Sequence, residues 1–293
     1  MLFTFGKDTV VKNIARIVVT RFGQRKLKSL SDFEPLMKDF LSAHQPNCPV
    51  NFEGNLISAG KREGFLNGSF KVSRIDDLFQ ESIIGSMYTS SEIKSYADKI
   101  YKALDKIKDL DSEIASIFKV YVNEIAIQKS GYTKDGKRSL GGTSSKSIGK
   151  IWFAPRHSFS LSDYIELVAH ELTHNLIFVD ELNYGHFEYN NMGEEEYFAK
   201  SAILNKNRPM DKVFHSIVVA AEILQWRENL LANLPNATVH PESSKIRSSI
   251  LESIKSIYAN PKAFSLMKDR PKVILERIHN MITNRNNTRS LCS

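Results

Sequence analysis

Cysteine is nearly missing from this chain of 293 residues: only Cys48 and Cys292 are present, and they stand too far apart to make a ligand pair of the CxxC kind. That excludes a disulfide framework and a thiolate zinc site, and it fits a reducing, cytoplasmic setting. Glycine (14) and proline (9) are also sparse, which excludes collagenous and low-complexity sequence, while 42% hydrophobic and 25% charged residues match an ordinary globular chain. Long apolar runs are absent too. The stretch Ser216–Leu224 holds Glu222, and nothing approaches the roughly 20 residues that cross a bilayer. Lys7 and Asp8 interrupt the N-terminus, which lacks the basic start, apolar run and cleavage site of a secretion signal. The expectation is a soluble cytoplasmic protein without membrane association.

Charge is abundant but uneven. The net +7 lies wholly in the first half, with 24 basic and 17 acidic residues in 1–150 against 16 of each thereafter. Arg21, Arg25, Lys26 and Lys28 form a basic cluster, for which a solvated helix face is a sufficient reason. No aromatic interleaving or base-reading motif accompanies it, so no nucleic-acid partner is expected. An acidic leader segment of a peptide substrate is the better match.

Apolar spacing predicts helices at Asp8–Thr20, Leu30–Ala43, Ile75–Gln80 and Ser90–Lys108, with an irregular segment over Asn47–Gly68. Val120–Gln128 and Ile148–Phe153 read as strands joined by the polar, Gly-rich segment 130–147. The helical period returns at Ser160, where Asp163 completes a capping box, and continues to about Leu182. Pro209 opens a helix running to about Leu234, and helices over Ser243–Tyr258 and Pro261–Met281 finish the chain. The fold class expected is α+β and predominantly helical, with a zincin-like HExxH helix packed on a small β-sheet and helical segments at both ends. Residues 1–113 are expected to form a helical, peptide-binding N-terminal region and 114–293 a metal-binding catalytic region, with one continuous domain as the alternative.

The chemistry resides in His170-Glu171-Leu172-Thr173-His174, a HExxH motif inside the Ser160–Leu182 helix. Positions i and i+4 share a helical face, so both imidazoles can aim a nitrogen at one divalent metal while Glu171 reaches its open side. A third ligand is required, and candidates compete. The metzincin pattern needs a glycine and a histidine where this chain has Ile177 and Asp180. The gluzincin pattern offers Glu194, 20 residues after His174, although the acidic triplet Glu194–Glu196 also suits a helix N-terminus. His215 lies six residues into the helix that follows Pro209, on or beside an apolar stripe. Glu222, two turns on, is placed to orient ligands from outside.

Three blocks carry a family resemblance: Gly142–Ser145 with Ile148–Pro155, then His170–Phe178, then Ser201–Ile203 with Arg208–Ala220. Residues 141–227 resemble the HExxH-type iron(II)- and 2-oxoglutarate-dependent peptide β-hydroxylases found with genes for ribosomally synthesised, modified peptides. The resemblance covers under a third of the chain. It implies a metal held by His170, His174 and His215, with iron(II) and 2-oxoglutarate as cofactors and a peptide as substrate.

A carboxylate of 2-oxoglutarate calls for a guanidinium fork, for which Arg208 is the candidate and Arg227 a weaker alternative. Under this reading Glu171 need not act as a base. Three imidazoles would depart from the more usual two-histidine, one-carboxylate iron set. The alternative is a zinc-dependent metallopeptidase with Glu171 as general base. Under either, the strand at Ile148–Phe153 is expected to pair with an extended peptide. A helical binding module with a structural metal is the non-enzymatic class.

Overall fold

A computed structural model describes residues 3–23, 27–48, 50, 52, 56–58, 85–132 and 138–290, with side chains of the final helix to Asn284. The helix expected over Ile75–Gln80, most of the segment 47–68, and Arg25, Lys26 and Cys292 lie outside the described residues. The fold is mostly helical with a small mixed sheet, as the α+β reading requires. Among the described residues no helix is long and apolar enough to cross a membrane.

The helices are α1 (Lys7–Phe22), α2 (Phe33–His44), α3 (Ser90–Leu110), α4 (Ser112–Tyr121), α5 (Leu161–Tyr184), α6 (Met210–Asn229), α7 (Ser243–Tyr258), α8 (Pro261–Ser265) and α9 (Asp269–Ser290). The strands are β1 (Ile57–Ser58), β2 (Glu124–Ile127), β3 (Gly141–Gly142), β4 (Lys150–Phe153), β5 (Ala199–Lys200) and β6 (Asn207–Arg208). One hydrophobic core extends from Phe5 to Ile282 and draws on both the N-terminal and C-terminal regions.

In the larger sheet the order is β1-β2-β4-β3, with β1, β2 and β4 parallel and β3 antiparallel to β4. Both β2 and β4 are buried on each face, so all their residues are apolar except the first of each, Glu124 and Lys150, which pair with one another at 3.5 Å. This arrangement corrects the expectation that the strand at Ile148–Phe153 pairs with a peptide. Its backbone edges are taken, by β2 through Ile125↔Ile151 and by β3 through Gly142↔Trp152.

Two other expectations change. The helix α4 runs through Tyr121, where β-branched residues suggested a strand. The Asp111 side chain accepts from the amides of Glu113 and Ile114 at 3.0 and 3.1 Å, starting a helix whose Ile114, Ile117, Phe118 and Tyr121 stripe is buried. The single helix expected over Pro261–Met281 is divided between α8 and α9. Between them Met267 bridges to Phe187, and the Lys268 amide donates to the His186 carbonyl at 2.9 Å, so backbone bonds to another segment replace helical ones.

The helix α5 holds the motif. The Asp163 amide donates to Ser160 Oγ at 3.2 Å and the Ser160 amide donates back to Asp163 Oδ2 at 2.8 Å, closing the predicted capping box. A cap of this kind contributes about 1 kcal/mol. At the other end Gly185 takes φ 63°, a left-handed conformation that glycine accepts without a Cβ penalty, and its amide donates to the Glu181 carbonyl at 2.7 Å. Between these ends α5 is apolar on most faces and buried against α1, α3 and α6, meeting the sheet at β3.

Candidate metal centre

One helical turn along α5, His170 and His174 bring their Nε2 atoms to 3.2 Å of each other. Two ligands of one ion at the usual metal–nitrogen length stand roughly 2.9–3.4 Å apart, so this pair is spaced as ligands are. The next helix, α6, packs along α5 and presents His215, whose Nδ1 lies 2.8 Å from Nδ1 of His174. Phe178 closes one side, with its ring 5.0 Å from that of His215. All three histidines, with Glu171 and Arg208, line a cavity of about 890 Å³.

The donors do not meet at one point. His174 faces His170 through Nε2 and His215 through the opposite nitrogen, and among the described residues no three His, Cys, Asp or Glu side chains are arranged to hold one ion. In kind, however, the residues suit a divalent metal. Burial drives the imidazoles of His170, His174 and His215 well below the ordinary histidine range, and neighbouring cations Lys212 and Arg208 push His174 and His215 in the same direction. The three are therefore neutral, which is the form that donates to a metal. Glu171 is 3% exposed, and burial raises its carboxyl to about 8. Among the described residues its Oε2 has no hydrogen-bond partner.

Arg208 is placed by the β5–β6 hairpin, in which it pairs with Ala199, and it is 7% exposed at the wall of the cavity. Arg227 is not among the cavity walls. Its guanidinium forks onto Glu166, with Nε to Oε1 at 2.5 Å and Nη2 to Oε2 at 2.9 Å. Glu194 is exposed on the residue that precedes a short 3₁₀ turn, away from the cavity, and the turn replaces the helix the acidic triplet suggested. Glu222 does not touch the histidines. It accepts from the amides of Phe3 and Thr4 at 3.1 and 2.9 Å and from Trp226 Nε1 at 3.0 Å, bracing the N-terminal segment.

A fourth histidine joins the cluster unannounced by any motif. The helix α6 ends at Asn229, short of the expected Leu234, and the loop that follows carries His240 to His170, Nε2 to Nδ1 at 2.9 Å. The two rings stack at 15°, with centroids 5.1 Å apart. Spacing offered no signal for His240, 70 residues beyond its contact. No protein-family model matches the chain, and no curated protein matches it.

Proposed function

We propose that this cavity is a metal-dependent active site that hydroxylates the β-carbon of a residue in a ribosomally synthesised peptide, using iron(II) and 2-oxoglutarate. The observation that carries the reading is the gathering of His170, His174 and His215, all neutral, at one cavity that Arg208 also lines. His170, His174 and His215 would hold the ion on a zincin-like arrangement of motif helix and sheet. Bound iron(II) with 2-oxoglutarate and oxygen supplies the C–H oxidation.

The chain's own residues do the rest. Arg208 supplies a charged fork for a carboxylate of 2-oxoglutarate, and Lys212 adds positive charge nearby. Phe178 and the apolar flanks of α5 restrict water around the histidines. Arg138 and Lys146 also line the cavity, and they favour an acidic peptide segment. The proposed setting is cytoplasmic, with no nucleic-acid or membrane partner.

A second reading, a zinc-dependent metallopeptidase, is favoured by one observation. Glu171 lines the same cavity as both motif histidines, and among the described residues its Oε2 has no partner, which suits a general base for water. Anaerobic loading with iron(II), then addition of 2-oxoglutarate and oxygen while succinate is measured, separates the two. Succinate release supports the hydroxylase. Cleavage of peptides by the zinc-loaded protein, with no succinate from the iron-loaded one, replaces it by the peptidase.

A further inference from the structure

The loop that delivers His240 is held at many points by two buried acids of α5. Asp163 Oδ1 accepts from the Thr238 amide (2.5 Å), the Thr238 hydroxyl (3.1 Å) and the Val239 amide (3.1 Å), while its other oxygen caps the helix. One turn on, Glu166 Oε2 lies 3.1 Å from Nδ1 of His240. Arg227 bridges the two, donating to Glu166 and, through Nη1, to the Pro241 carbonyl at 2.7 Å. A loop pinned this way gives His240 one position, flat against His170.

The direction of the bonds follows from what each group can donate. Glu166, paired with the Arg227 fork, is a carboxylate and only accepts, so His240 donates to it from Nδ1. A neutral His240 then has a lone pair at Nε2, and His170 must donate to it from Nδ1. That leaves Nε2 of His170 without a proton, on the side that faces His174.

We propose that His240 and Glu166 are a positioning pair that fixes the tautomer and ring plane of His170, leaving Nε2 bare as a metal donor. The proposal rests on the reading of the cavity as a metal site, and it is distinct from the assignment of the ligands themselves. A partner on the far nitrogen of a ligating histidine orients the ring and raises its basicity. Here an imidazole stands between the ligand and the carboxylate.

Long-range proton–nitrogen correlation spectra of the metal-free, ¹⁵N-labelled protein at mildly alkaline pH read the tautomer directly. The expected result is a proton on Nδ1 of His170 in the wild type and in His240→Gln, whose amide oxygen accepts the same bond. In His240→Phe, which keeps the ring stack without an acceptor, the proton should move to Nε2. Calorimetric titration with zinc(II) alone should show affinity weaker by about 10–100-fold in His240→Phe and recovered in His240→Gln. A wild-type His170 protonated at Nε2 overturns the proposal, as does a His240→Phe variant with unchanged tautomer and zinc affinity. If the tautomers behave as expected but the wild type binds neither zinc(II) nor iron(II), the positioning pair stands and the metal reading fails.

Discussion

Asp180, two turns beyond His174 and fully buried, is the point at which the far end of the motif helix is tied to the rest of the fold. Each of its oxygens receives two donors. Asn13 Nδ2 and Arg270 Nη2 reach Oδ1 at 2.7 and 2.6 Å, and His186 Nε2 and Arg270 Nε reach Oδ2 at 2.8 and 2.9 Å. An asparagine has one oxygen, so Asp180→Asn serves at most two of the four donors and turns an NH₂ group toward the others. It also leaves Arg270, whose side chain is 25% exposed, without its counter-charge. Removing one partner of a buried pair costs roughly 3–5 kcal/mol. At about 2 °C per kcal/mol for a chain of this size, Asp180→Asn should lower the melting temperature by roughly 6–10 °C. Burial raises the Asp180 carboxyl, but the bonds from His186 and Arg270 outweigh it and hold the group below the ordinary 3.8. Its stabilisation is therefore present above the unfolded value and lost as pH falls through the lower folded value, so the gap between wild type and Asp180→Asn closes in acid. Differential scanning calorimetry at neutral and acidic pH measures both effects. A shift below 2 °C at neutral pH, or a gap that widens on acidification, refutes the reasoning.

His215→Ala should reduce bound metal and activity together, whereas the exposed Glu194→Ala should leave both unchanged; metal content of the two purified proteins, side by side, decides the third ligand. Arg208→Ala should raise the 2-oxoglutarate concentration needed for half-maximal succinate release while iron(II) affinity stays within a few fold. An unchanged requirement removes Arg208 from the site. Burial raises the Glu222 carboxyl above its ordinary 4.5, with the Thr4, Phe3 and Trp226 donors opposing it in part. The folded state then binds the proton more tightly than the unfolded one, so wild-type stability should fall relative to Glu222→Gln as pH rises from 4.5, which denaturation at stepped pH will show.

Local signals were legible where local physics governs. Ser160 with Asp163 marked the start of α5, and α7 begins and ends where its apolar spacing does, because a cap or a stripe is decided within one or two turns. That the motif histidines share a helix face was legible for a related reason, whereas His215, beside an apolar stripe, was singled out chiefly by the family resemblance; all three line one cavity. What was not legible depends on contacts between distant segments. The break between α8 and α9 is made by the chain near His186, some 80 residues earlier in sequence. The position of β4 inside the sheet depends on β3, only two residues long and made of glycine, with no apolar alternation to reveal it. A Cβ on Gly141 would meet the Trp152 carbonyl at 2.6 Å, so glycine there allows the close approach that brings β3 beside Glu171. His240 is the same case at the site: neither its neighbours nor its spacing carries information, because its place is determined by acids on another helix.

Those acids explain why α5, apolar on most sides, carries four buried carboxyl groups, each of which is costly without partners. Asp163 accepts from the capping residue and from the loop at Thr238, Glu166 from Arg227 and His240, and Asp180 from Asn13, His186 and Arg270. Asp163 and Glu166 therefore fasten the first half of α5 to the loop around Thr238–His240, and Asp180 fastens its end to α1, His186 and α9. Among the described residues Glu171 alone of these four keeps a buried oxygen with no partner, and it is the acid within the HExxH motif, at the wall of the cavity. If burial of acids on this helix served stability only, Glu171 would have acquired a donor as the other three have. A helix held at both ends, with its one unsatisfied acid at the cavity wall, leaves that oxygen available to a ligand, as the proposed function requires. Glu171→Gln, which removes the ionisable proton and keeps the shape, should therefore raise thermal stability or leave it unchanged while altering the chemistry of the site. A loss of more than about 2 kcal/mol, on the scale of breaking a buried bond, would show that Glu171 braces the fold like its neighbours.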